Sequence, residues 1–190
     1  MTAAARLRVT LLDLNPAPWR TIEVPLSISF KGLHDAIQAA FGWFDMHLWE
    51  FDFNGRAYGP PIEIDLDGGR IYNASNAHLT KLRTAEAESF LYTYDMGDDW
   101  VHQVDVVALF EAKPDTPLPR FIEGEWRAPP EDVGGSSGFE HFLDAISDPD
   151  HEDHDDLMDW HGGPFDPTDI DEDTVHAQFK RLAKKRRSKT

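Results

Sequence analysis

The sequence predicts an α+β fold: a largely antiparallel sheet opening with a ββαββ unit, and a helical C-terminal third packed on it. Three observations carry this expectation. Short runs in the first two-thirds alternate apolar and polar residues with period two, the spacing of half-buried strands. One early segment switches to four-residue spacing, the spacing of a helix face. The last third repeats that helical spacing behind Asp-Pro pairs, which suit the start of a helix.

The elements follow in order. Residues 6–14 read as a strand with Leu7, Val9 and Leu11 on one face. The prolines of Asn15-Pro16-Ala17-Pro18 remove donors and break it. Residues 19–25 return as a second strand, Trp19, Thr21 and Glu23 alternating with Ile22 and Val24. Ser29 is placed to cap a helix reaching Phe41, with Leu33, Ile37 and Phe41 on one face and Gly42 as its C-cap. Residues 47–53 form a third strand with Trp49, Phe51 and Phe53 turned to the core, and Asn54-Gly55 is a strong hairpin signal. Residues 59–77, rich in Pro, Gly and Asp, read as a long surface loop. Residues 89–94 and 100–109 pair as strands about a turn at 96–99, and residues 113–119 form a further connection. Phe139, Phe142, Leu143 and Ile146 mark an amphipathic helix. Asp148-Pro149 is expected to open the next one, with Leu157 and Trp160 as its apolar face and Gly162-Gly163 as its end. Asp166-Pro167 is expected to open the last helix, carried by Val175, Phe179 and Leu182. We expect a single domain over 1–183 and a basic, disordered tail over 184–190.

Composition narrows the function. The 190 residues include no cysteine, which excludes disulfides, thiolate metal sites and thiol nucleophiles. No apolar run is long enough to span a membrane, and the N-terminus lacks a signal-peptide pattern, so a cytoplasmic location without membrane partners is expected. The net charge of −17 is concentrated: 16 Asp and Glu and no Lys or Arg lie between Arg127 and Lys180. The end then reverses sign with Lys180, Arg181, Lys184, Lys185, Arg186, Arg187 and Lys189. Such a distribution serves solubility, cation binding by the acids, docking of the tail on the acidic surface, a protein partner, or weak nucleic-acid contact through the tail.

Three segments hold residues able to do chemistry. In Tyr92-Thr93-Tyr94-Asp95-Met96-Gly97-Asp98-Asp99-Trp100-Val101-His102, three carboxylates sit at a hairpin tip and His102 shares a strand face with Trp100. Asp98 and His102 suit an acid/base pair or a metal site, while Asp in a tight turn equally serves by accepting backbone N–H bonds. In Ala128-Pro129-Pro130-Glu131-Asp132-Val133-Gly134-Gly135, a stiff Pro-Pro holds two carboxylates before a flexible Gly pair. Paired carboxylates bind a divalent cation or share a proton, and they also cap helices or bind loop amides. In Asp148-Pro149-Asp150-His151-Glu152-Asp153-His154, two histidines at helical spacing suit zinc or manganese, and the acids also suit a helix start with no ligand. No nucleophile elbow, phosphate loop, dinucleotide fingerprint, kinase signature or EF-hand occurs, and no catalytic residue is assigned.

The ordered set Leu33-His34-Asp35-Ala36-Ile37-Gln38-Ala39-Ala40-Phe41-Gly42-Trp43, His47-Leu48-Trp49-Glu50-Phe51, Tyr94 to His102, Pro129 to Gly135 and Phe165-Asp166-Pro167 resembles the Ri-plasmid ORF-3-like family over about residues 6–175. The resemblance implies the fold neighbourhood and a link to plasmids and mobile elements. The label "TnpR resolvase" that some members carry does not transfer, because no serine-recombinase nucleophile context is present. Members often carry cysteines near the Pro-Pro-Glu-Asp loop; Ile122 and Val133 occupy that neighbourhood here.

Two classes of function remain open: a non-enzymatic binding or accessory module without a cofactor, and a metal-dependent hydrolase or nuclease-like enzyme. Asp95, Asp98, Trp100, His102, Glu131 and Asp132 are expected to form one polar site, with Asp98, His102, Glu131 and Asp132 as candidate ligands of a divalent cation. An Arg120 or Arg127 partner for Glu131 is the structural alternative.

Overall fold

The computed structural model describes residues 1–61, 70–83 and 88–187. The elements are β1 (Thr2–Leu11), β2 (Trp19–Pro25), α1 (Phe30–Phe41), β3 (Trp49–Asp52), β4 (Ala57–Gly59), β5 (Tyr72–Asn73), β6 (Ser89–Tyr94), β7 (Trp100–Ala112), β8 (Arg120–Glu125), α2 (Gly135–Ser147), α3 (His154–His161) and α4 (Glu172–Arg187). One sheet runs in the order β5-β4-β3-β6-β7-β1-β2-β8. Every pairing is antiparallel except β4 with β5. The fold is therefore α+β, and it opens with the expected ββαββ unit.

Local chemistry fixes the opening unit. Ser29 accepts a hydrogen bond from the Gly32 N–H and caps α1, and Gly42, left-handed at φ 79°, ends it. Leu33, Ile37 and Phe41 meet Trp49 and Phe51 in the buried core, as their spacing predicts. Asn54 and Gly55 both take positive φ, which closes the β3–β4 hairpin. The long middle loop contains the short strand β5, and its residues 62–69 lie outside the described residues.

Three elements differ from expectation for identifiable reasons. Strand β8 adds to β2 at the sheet edge. Its Arg-Phe-Ile-Glu-Gly-Glu sequence buries only Phe121, and a charged, glycine-bearing edge strand gives little periodic signal. Asp148 does not open α3: its carboxylate accepts the Asp150 N–H in a local turn, and the helix starts at His154. Asp166 likewise bonds Thr168, and α4 begins at Glu172. An Asp-Pro pair suits a turn as well as a helix start. Helix α4 packs against α1 and β8 and continues to Arg187, beyond the expected domain boundary at 183; residues 188–190 lie outside the described residues.

A buried carboxylate secures the edge. Glu23, fully enclosed, receives Arg6 at 2.6 Å and Arg120 at 2.6 Å. Both arginines remain half-exposed and can turn to water when the partner is lost. Glu23→Ala is therefore expected to cost about 1–3 kcal/mol, below the cost of stranding a fully buried charge. Urea unfolding checks this; an unchanged midpoint would remove the pair from the stability account.

Candidate functional site

Strand pairing builds the site. Antiparallel β3 and β6 set Trp49 opposite Tyr94, so the residues before Trp49 run beside those after Tyr94. The Asp95 N–H donates to the Leu48 carbonyl at 2.9 Å, which places His47 against the hairpin tip. Asp95 is left-handed at φ 56°, a conformation Asp tolerates better than most residues. Its Oδ1 accepts from the Gly97 N–H at 2.9 Å, fixing the side chain, and its Oδ2 lies 3.5 Å from His47 Nε2.

The Pro-Pro-Glu-Asp loop is bound onto this tip from three directions. Trp43 Nε1–H donates to the Pro129 carbonyl at 2.9 Å. The Phe44 N–H and the Tyr94 hydroxyl each donate to Glu131 Oε1 at 2.9 Å. The Gly134 N–H donates to Asp98 Oδ2 at 3.1 Å. Gly135 sits at φ 70° with the Asp98 carbonyl 3.1 Å from where a β-carbon would be, so the close approach favours glycine. Burial, reinforced by the neighbouring Glu131 carboxylate, holds the Tyr94 phenol above its ordinary pKa and keeps it a donor.

The result is a convergence of four side chains. His47 Nε2 lies 3.1 Å from Asp132 Oδ1, 3.5 Å from Asp95 Oδ2 and 3.8 Å from Glu131 Oε2. This nitrogen is buried, yet no group meets it with hydrogen-bond geometry. No Lys or Arg forms an ion pair with these carboxylates among the described residues: Arg120 is held by Glu23, and Arg127 lies over the Phe165 ring. The arrangement can take up a positive ion.

The residues expected to share a site are thus divided. Asp95, Glu131 and Asp132 come together. Asp98 stands beside them as a tie to Gly134. Trp100 is a buried ring stacked on Trp43. His102 does not join the cluster. It points into the core among Phe41, Trp43 and Tyr92, with Nδ1–H directed to the Tyr92 carbonyl at 3.2 Å. His47 supplies the imidazole instead. The register that sets Trp49 opposite Tyr94 brings His47 to Asp95, and a slip of one residue would turn the side chains to the other face.

Two other groups of ligand atoms are less suited to a metal. His34 and Asp45 bond each other at 2.8 Å, and Lys31 neutralises Asp35 and Asp45. His141, His151 and Asp153 lie together on the surface, but His151 Nδ1 accepts the Asp153 N–H, which leaves the proton on its other nitrogen. His154, expected to pair with His151, instead directs Nδ1 to the Ala145 carbonyl.

Fold and cluster define a mixed α+β protein with a carboxylate–imidazole site at one end of its sheet. The chain belongs to the family described as Plasmid pRiA4b ORF-3-like protein, whose profile matches residues 3–174. It is 35% identical over 184 residues to the uncharacterized protein y4hQ of Sinorhizobium fredii, spanning 97% of this chain and 91% of that one. It also resembles the crystal structure of MM3350, a protein of unknown function from Methanosarcina mazei Go1. That likeness has a TM-score of 0.81 and 34% identity, and covers 92% of this chain and 97% of the other. No helix among the described residues is long and apolar enough to cross a membrane.

Proposed function

We propose that the protein is a cation-dependent binding protein whose centre is one divalent metal ion held by His47, Asp95 and Asp132. The observation that carries this reading is the spacing of the ligand atoms. Metal–ligand bonds of about 2.0–2.2 Å, at tetrahedral or cis-octahedral angles, separate neighbouring ligand atoms by about 2.8–3.6 Å. The separations of 3.1 and 3.5 Å from His47 Nε2 fall within that range, and all three ligand atoms lie within 4.8 Å of one another. Glu131, at 3.8 Å and already holding Tyr94 and Phe44, acts from the outer sphere. One imidazole and two carboxylates favour manganese or zinc over magnesium.

Calorimetric titration with manganese, zinc and magnesium tests the proposal. One equivalent of manganese or zinc per chain is expected, weakening on acidification as protons compete with the ion for its ligands. Absence of binding by all three would leave the cluster a structural polar network.

A metal-dependent hydrolase is the second reading. It is favoured by a groove of about 540 Å³ whose lining includes Glu131 and Asp132, the second of which is a proposed ligand of the ion. Manganese-dependent hydrolysis of bis-p-nitrophenyl phosphate, lost in Asp132→Asn, would favour it over binding alone.

A further inference from the structure

We infer that the groove beside the cation site binds a small organic anion, a carboxylate or phosphate on an aromatic or apolar body, with its acidic group directed to Arg127 and Arg20. The groove holds about 540 Å³, within the range of small-molecule sites. Phe41, Trp43, Pro129 and Phe165 form its apolar wall, and the exposed Phe44 and Trp160 stand at its rim.

Its lining carries both signs of charge: Glu131, Asp132 and Asp171 are acidic, and Arg20 and Arg127 are basic. Neither arginine forms an ion pair among the described residues, although the Arg127 charge acts on the Asp166 carboxylate. Arg20 is a buried cation whose Nε and Nη1 reach only carbonyls, those of Ala40, Trp19 and Glu125. Burial lowers its pKa to about 10, so it remains charged at neutral pH. A buried charge is costly unless it is compensated, and carbonyl dipoles compensate it only in part. Room is kept for it by Gly124, where a β-carbon would lie 2.6 Å from Arg20 Cδ and 2.7 Å from the Trp19 carbonyl. Arg20 meets the carbonyl two residues before Arg127, and both cations line the groove. The Arg127 guanidinium carbon lies 4.9 Å from the centre of the Phe165 ring, and its planar donor fork suits carboxylate or phosphate.

The inference builds on the cation reading, because an ion held by Asp132 would offset the repulsion that Glu131 and Asp132 exert on an anion. Phenyl phosphate and benzoate, titrated calorimetrically into manganese-saturated protein, test it and separate the two acid classes. At least one probe is expected to bind with one molecule per chain. Arg127→Gln is expected to weaken that probe by about tenfold or more while manganese still binds. Arg127→Lys should fall between, since it keeps the charge and loses the fork. Lys113→Gln, an equal change of charge at the far end of β7, should leave affinity unchanged. Circular dichroism of each variant establishes that it is folded. Manganese binding without either probe, or equal probe affinity in wild type and Arg127→Gln, overturns the inference and leaves the cation reading intact. If manganese does not bind, the cation reading fails on its own. Probe binding to the metal-free protein that Arg127→Gln abolishes would then still support the anion site, and no binding would overturn both.

Discussion

Asp95→Asn and Asp132→Asn are each expected to weaken manganese or zinc binding about a hundredfold or more, while raising the stability of the metal-free protein. Loss of an outer-sphere partner alone costs about 10–100-fold in metal affinity, so loss of a charged ligand belongs at or above that range. Both positions are left-handed, at φ 56° and 59°, which Asn tolerates as well as Asp. In Asp95→Asn the new amide would keep the side-chain oxygen that accepts the Gly97 N–H. The backbone is thus preserved and only the charge is removed. Without an ion, Asp95, Glu131 and Asp132 repel one another, so removing one charge relieves the fold. Glu131→Gln should affect metal binding less, because Glu131 lies farther from His47 Nε2. Calorimetry for the metal and urea unfolding for stability check both halves. A loss of stability together with unchanged metal affinity would mark the cluster as structural.

Acidification is expected to destabilise the protein strongly between about pH 6.5 and pH 4. His34 and His102 are enclosed in the core. Burial lowers the His34 pKa from 6.5 to about 4, and the Lys31 charge acts in the same direction against Asp45. Burial lowers that of His102 to about 3. In this window the unfolded chain binds protons that the folded chain refuses, so stability falls as pH falls through it. A depression of that size corresponds to roughly 3 kcal/mol for His34, and His102 adds a contribution of the same order. The sum is comparable with the whole stability of a small domain, about 5–15 kcal/mol. Thermal unfolding at pH 7.5, 6, 5 and 4 measures it. His102→Leu should flatten the dependence, since the ring bonds one carbonyl and its Nε2 has no partner. A midpoint unchanged from pH 7 to pH 5 would contradict the account.

The sequence revealed what rests on local chemistry. The Ser29 cap, the Gly42 end and the Asn54-Gly55 turn are each set by neighbours within four residues. The convergence of Asp95 with Glu131 and Asp132 was legible from two rigid turns with excess acid. The assignment of the imidazole was not, because it depends on strand register. Asp98 and His102 lie on one hairpin in sequence, but the pleat turns His102 inward, opposite Leu11 on β1. His47 precedes a strand and carries no motif of its own; only the pairing of Trp49 with Tyr94 brings it to the carboxylates. Arg20 was similarly hidden, since its enclosure depends on β8, whose sequence gives almost no periodic signal. The starts of α3 and α4 were misplaced because Asp148 and Asp166 spend their carboxylates on local turns.

The most direct measurement is anomalous diffraction from a crystal of the protein soaked in manganese. The account predicts a single strong peak about 2.0–2.3 Å from His47 Nε2, Asp95 Oδ2 and Asp132 Oδ1, with Glu131 outside the first coordination sphere. A map with no peak there, or with a peak only at His141, His151 and Asp153, would contradict it.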